Sequence, residues 1–153
     1  MVYALLDDQP DARFIKTSAL KKLNVSAPEV HVKLSTVLAE DDITSEKIAG
    51  LVVRGVNKIS TNICFPRTYK RDIIPARWSQ IPRPETTCKW PHLQGIVDNL
   101  MPCKEEIDVA LLLGINSACG IKPREINPGN DDDPYAKRIA LGWGVLGMVA
   151  LDI

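Results

Sequence analysis

Three carboxylates, Asp7, Asp8 and Asp11, follow the short apolar run Val2-Tyr3-Ala4-Leu5-Leu6, with Gln9 and Pro10 set among them. The run is short, apolar and partly β-branched or aromatic, which predicts a buried strand. Gln9-Pro10-Asp11 supplies the turn that ends it. Asp7 then stands at a strand end, with a rigid scaffold behind it and an open turn in front, a placement suited to acid–base work by a carboxylate. The same three side chains also fit a plainer role, capping the backbone of their own turn. As a cation site the cluster lacks the glycine and distal glutamate of a calcium loop, and no metal is expected there.

Other reactive residues form no recognisable constellation. Cys64, Cys88, Cys103 and Cys119 lie far apart with no C-x-x-C pair, the pattern of reduced thiols rather than of a disulfide framework. Cys88 and His92 are four apart, but Pro91 interrupts any helix that would align them as ligands. Neither His31 nor His92 has a nucleophile at a spacing that would mark a Ser/His/Asp or Cys/His mechanism. No metal and no cofactor is expected.

The elements that must position Asp7 are those of one domain. A chain of 153 residues is long enough to bury its apolar side chains around a single core. With 19 basic and 19 acidic residues the formal charge is zero, so no global field draws in nucleic acid or an anionic membrane surface. The one local basic run is Arg67, Lys70 and Arg71. No apolar stretch approaches the length of a membrane span, and the N-terminus lacks the regions of a signal peptide, which predicts a soluble, cytoplasmic protein or fragment.

After the turn, Thr17 to Asn24 reads as one or two turns of helix. Thr17 is the expected cap, Leu20 and Leu23 share a face, and Asn24 suits a left-handed exit. From Glu29 to Leu38 the residues alternate, with Val30, Val32, Leu34, Thr36 and Leu38 on one side, as in a strand with one wet face. Ala39-Glu40-Asp41-Asp42 reads as a polar turn, and Ile43 to Val53 as the return strand of a hairpin whose acidic tip is either solvated or a flap over a cleft. Ile59 to Pro66 reads as a further short strand.

Prolines at 66, 75, 82, 84, 91 and 102 then rule out one long regular element. Residues 67–90 read as an irregular, Pro-rich excursion within the single domain spanning 1–153. Trp78 and Trp90 are expected to pin it to the body, and a short helix is expected near His92 to Leu100. Glu106 to Asn116 is almost wholly apolar and reaches a glycine at Gly114, which predicts a strand buried on both faces. Ile121 to Ile126 reads as extended, Asn127 to Pro134 as an acidic turn, and Arg138 to Val149 as a last strand or pair. Short strands, many turns and little helix predict an all-β or β-dominated barrel.

The order Leu5-Leu6-Asp7-Asp8-Gln9, short helix, hairpin, Trp90-Pro91-His92-Leu93, Ile107 to Asn116 and Leu141-Gly142-Trp143 resembles the aspartic peptidase domain of Bel/Pao-type retrotransposon polyproteins. That domain belongs to the retropepsin-like group. The resemblance implies a closed β-barrel with one or two short helices and an aspartic endopeptidase that cleaves polypeptides. It places the catalytic aspartate at Asp7, with Asp8 and Gln9 as its neighbours in the turn. It puts the strand that packs beneath the turn at Leu112, Leu113 and Gly114. By order along the chain, Glu40, Asp41 and Asp42 fall at the flap.

Such enzymes contribute one aspartate per chain, and no second Asp-Ser/Thr-Gly occurs here, so a homodimer is implied. Two like charges about 3 Å apart cannot both ionise; they share a proton, one carboxylate serving as base toward water and the other as acid toward the peptide carbonyl.

Three departures bear on that chemistry. The family's Ser or Thr is Asp8 here, which accepts but, ionised, does not donate a hydrogen bond, and which adds a like charge beside Asp7. The family's glycine is Gln9, and Pro10 removes one more N–H. The family also has a strand ahead of the aspartate turn, whereas this sequence begins six residues before Asp7, and that outer strand is expected to be lacking. The position after the Leu-Leu-Gly strand that usually holds aspartate is Asn116. A second reading follows: a degenerate copy that keeps the fold as an interaction module without hydrolysis.

Overall fold

The structure is a computed structural model that describes residues 1–7, 11–35, 38–56, 62–76, 81–100 and 104–147. Its strands are β1 (Tyr3–Leu6), β2 (Phe14–Lys16), β3 (Glu29–Ser35), β4 (Glu40–Ile48), β5 (Leu51–Val53), β6 (Ile63–Phe65), β7 (Thr68–Arg71), β8 (Val109–Leu113), β9 (Glu125–Asn127), β10 (Tyr135–Ile139) and β11 (Gly142–Leu146). Among the described residues helix is confined to α1 (Thr17–Leu23), α2 (Pro84–Thr87), the 3₁₀ segment Pro91–Asn99 and α3 (Ala118–Ile121). The fold is therefore β-dominated with mixed sheets and a few short helices.

The largest sheet has the order β1-β8-β2-β7-β4-β3. β8 lies between β1, to which it runs parallel, and β2, to which it runs antiparallel. Its sequence explains the central position. Leu111 and Leu113 face one apolar cluster with Ile15, Leu20, Ile48, Ile63 and Phe65, while Leu112 faces a second cluster with Phe14 and Ile74. A strand apolar on both faces is stable only where both are covered. β1 follows the same alternation, Leu6 packing on the first cluster and Leu5 on the second.

The expected closed barrel is not found. Among the described residues the sheet ends at β1 on one side and β3 on the other, and the remaining strands form separate sheets, β11-β10-β9 and β5-β6. One cause lies at Gly50. Its φ of +69° turns the chain between β4 and β5, so the run read as one strand from Ile43 to Val53 divides between two sheets. β5 and β6 carry Leu51, Val53, Ile63 and Phe65 onto the first cluster.

Several local expectations are corrected in the same way. Thr17 is the first residue of α1 and not its cap; its hydroxyl donates to Asp72 Oδ1 at 2.6 Å. Leu20 is buried but Leu23 is exposed, because the short helix covers the core with one turn only. Asn24 does take the left-handed exit, at φ 54°. The segment read as irregular from Arg67 opens with β7, an interior strand whose Thr68 is fully buried, since tertiary pairing with β2 and β4 outweighs the nearby prolines. Ile121 closes α3 and is not extended.

The last three strands hold a third cluster, in which Ala136 meets Leu93 and Ile96 of the 3₁₀ segment together with Trp90, Trp143 and Val145. Trp90 thus anchors its segment, edge-on to the His92 ring at 6.2 Å, while Trp78 lies outside the described residues. The His92 Nε2–H donates to the Pro134 carbonyl at 2.7 Å, and Asn127 Nδ2 donates to the His92 carbonyl, clasping the segment to the turn between β9 and β10. Among the described residues no helix is long and apolar enough to cross a membrane.

Candidate active site

β1 delivers Asp7 to the end of the large sheet. The register pairs Leu5 with Leu112 and Leu6 with Leu113, and the Asp7 backbone N–H extends the ladder by donating to the Leu113 carbonyl at 3.1 Å. Asp7 is half-buried, whereas Leu113 is fully buried and Gly114 is buried. Leu112, Leu113 and Gly114 are therefore brought alongside the candidate aspartate. Asp8 and Gln9 lie outside the described residues.

The chain that leaves the turn comes back to the same place. Arg13 precedes β2, and its guanidinium reaches past the end of β8. Nε donates to the Arg67 carbonyl at 2.8 Å and Nη1 to the Asn116 carbonyl at 3.2 Å. The guanidinium also lies over the Phe65 ring, 4.9 Å from its centre. Beyond Gly114 the chain turns tightly, the Ser117 N–H donating to the Gly114 carbonyl at 2.9 Å. Asp11, Arg13, Phe65, Arg67 and Asn116 line one open groove of about 440 Å³. Arg13 is a residue that sequence reading missed: between Ala12 and Phe14 it looks like an ordinary surface base, and nothing local signals its burial to 6 % exposure.

The turn read at Glu40, Asp41 and Asp42 is corrected by the strand pairing. Glu40, Asp41 and Asp42 form no turn; they begin β4 and pair with Ser35, Leu34 and Lys33 of β3. Cross-strand pairing explains this, because Lys33 Nζ meets Glu40 Oε2 at 3.0 Å and relieves the acidic run. The hairpin itself is as expected, with Val30, Val32 and Leu34 on the drier face. The backbone ladder between β4 and β7 runs over Lys47 and Ile48, and farther along the hairpin Leu34 packs against the second cluster. In the strand order the hairpin lies at the opposite end from β1.

Where the hairpin joins the sheet, Lys70 Nζ pairs with Glu46 Oε1 at 2.9 Å. The Lys70 hydrogen bond holds the Glu46 carboxyl below the usual carboxylate range, and the same bond holds Lys70 above the usual lysine range. Ser45 beside it is buried and donates to the Lys70 carbonyl at 2.6 Å.

Cys88 and His92 do not converge, since the Cys88 thiol lies against the Glu85 carbonyl and the His92 ring is held by Pro134. Cys64, Cys88 and Cys119 are free and exposed. Among the described residues no three His, Cys, Asp or Glu side chains are grouped to hold a metal ion. The end of β1 thus holds a half-buried aspartate on a strand end, and a groove lined by Arg13 and Arg67 lies past the end of the neighbouring strand β8. Comparison with protein-family models, with curated proteins and with solved structures finds no match to this chain.

Proposed function

We propose that the chain is a cytoplasmic aspartic endopeptidase domain of retrotransposon origin. Asp7 of one copy faces Asp7 of a second, and the shared proton lets one carboxylate activate water while the other protonates the carbonyl of an extended polypeptide. The observation that supports this reading is the parallel pairing of β1 with β8, with the Asp7 N–H on the Leu113 carbonyl. The retropepsin-like resemblance asks for that neighbour, a Leu-Leu-Gly strand that packs beneath the aspartate turn. The need for a second copy fits the position of β1, which among the described residues is at the edge of its sheet.

The composition of the turn favours a second reading. Asp8-Gln9-Pro10 stands where the family has a hydroxyl residue and a glycine. A retropepsin-like module without that hydroxyl and that N–H keeps the fold and an interaction surface while no longer hydrolysing.

The test is incubation with a peptide library between pH 3 and 7, followed by mass spectrometry of the products. The peptidase reading expects acid-favoured cleavage by the wild type that is lost in Asp7→Asn and blocked by a transition-state-mimicking inhibitor. Equal cleavage by both proteins sinks it. No turnover by the wild type, together with turnover by the Asp8→Ser, Gln9→Gly double variant, supports the degenerate module instead.

A further inference from the structure

The groove lined by Asp11 and Asn116 holds a buried cation, Arg13, that no described residue neutralises. A guanidinium has five N–H donors in a planar fork. At Arg13 the Nε–H is taken by the Arg67 carbonyl, and Nη1 is shared between the Asn116 carbonyl and, more distantly at 3.5 Å, Ser117 Oγ. These acceptors are neutral, and the Phe65 ring adds only a cation–π contact. Among the described residues Nη2 has no acceptor, and no carboxylate oxygen lies within 4 Å of the guanidinium. A charge this buried is costly unless an opposite charge meets it.

The fold leaves room for that opposite charge. Arg13 lines the 440 Å³ groove, a volume in the range of ligand clefts, and Arg67 lines it too. Among the described residues Asp11 is the carboxylate there, with Tyr69, Cys64 and Cys119 as the other titratable residues. Among the described residues that line it, two basic residues face one carboxylate, and a single carboxylate ligand balances the positive charge that remains. The planar fork matches a carboxylate in the same way.

We propose that this groove binds a carboxylate carried by an extended polypeptide, either an acidic side chain or a free C-terminus, with Arg13 as its counter-ion and Arg67 as a second contact. The position relative to Asp7 suits a chain passing both. Asn116 follows Leu113 by three residues, so its Cα lies at most about 11 Å from that of Leu113, whose carbonyl holds the Asp7 N–H. The inference goes beyond the peptidase reading because it concerns binding and holds whether or not Asp7 hydrolyses anything.

The experiment uses the full chain carrying Asp7→Asn, so that no probe is consumed, and fluorescence anisotropy of four labelled hexapeptides. Two are end-capped and differ only by Glu or Gln at one inner position. Two have neutral side chains and end in a free carboxylate or an amide. At least one carboxylate peptide is expected to bind tenfold or more tightly than its amide counterpart, and which pair shows it identifies the source. Arg13→Gln is expected to abolish the preference and Arg67→Gln to reduce it a few-fold.

Because Arg13→Gln also removes three structural hydrogen bonds, the Arg13 Nε–H resonance of the protein with native Arg13 is followed during the same titration. A shift saturating with the anisotropy supports the site. Equal binding within both peptide pairs, a preference that persists in folded Arg13→Gln, or an unmoved Arg13 resonance overturns it.

Discussion

The backbone N–H of Asp7 donates to the carbonyl of Leu113, joining the end of the first strand to the most deeply buried residue of a strand far along the chain. The bond fixes the register of β1 on β8, and a slip of one residue would exchange Leu5 and Leu6 between the two apolar clusters. The position of the candidate aspartate is therefore set by hydrophobic packing behind it.

Leu113→Ala tests that dependence. Leu113 is fully buried in the first cluster, so truncation leaves a cavity and costs about 2–5 kcal/mol. Urea denaturation followed by tryptophan fluorescence measures it, and a loss well under 1 kcal/mol would contradict the packing described.

Asp7→Asn is expected to keep the fold and to lower any acid-favoured peptide cleavage on the order of 10²–10⁴-fold. Circular dichroism checks the first part and initial rates at acidic pH the second.

The Glu46–Lys70 pair gives stability two pH limits. The folded-state value of Glu46 is lowered from 4.5, so its contribution is complete above that value and is lost as pH falls through the lowered one. Lys70 is raised from 10.5, so its contribution is complete below that value and is lost as pH rises through the raised one. Thermal midpoints of the wild type and Glu46→Gln across pH should differ most between these limits and converge outside them. A constant offset at all pH values would rule the pair out as the cause.

Two glycines separate backbone strain from steric clash. Gly50, at φ +69°, has open space where a Cβ would stand, so Gly50→Ala costs only the left-handed backbone penalty of about 1–2 kcal/mol. Gly129, at φ +66°, has the His92 ring there, with Nε2 2.5 Å from the ideal Cβ position. Gly129→Ala adds displacement of that ring and loss of its bond to Pro134, and should cost more. Chemical denaturation of both variants ranks them; equal losses would mean that the ring moves aside freely.

Sequence by itself determined the elements whose pattern is local. The alternation of Val30, Val32 and Leu34 specified the hairpin strand, and Leu111-Leu112-Leu113 specified a strand covered on both faces, because side chains point to opposite faces in turn wherever the strand pairs. The left-handed exit at Asn24 was legible for the same reason, being a property of one residue and its own backbone. Tertiary structure alone decided that β8 inserts between β1 and β2, that Thr68–Arg71 is an interior strand in a proline-rich stretch, and that the sheet does not close among the described residues. It also decided that Arg13 is buried beside a groove. Pairing partners and burial depend on segments distant in the chain, and the residues at those positions carry no local mark of what will cover them.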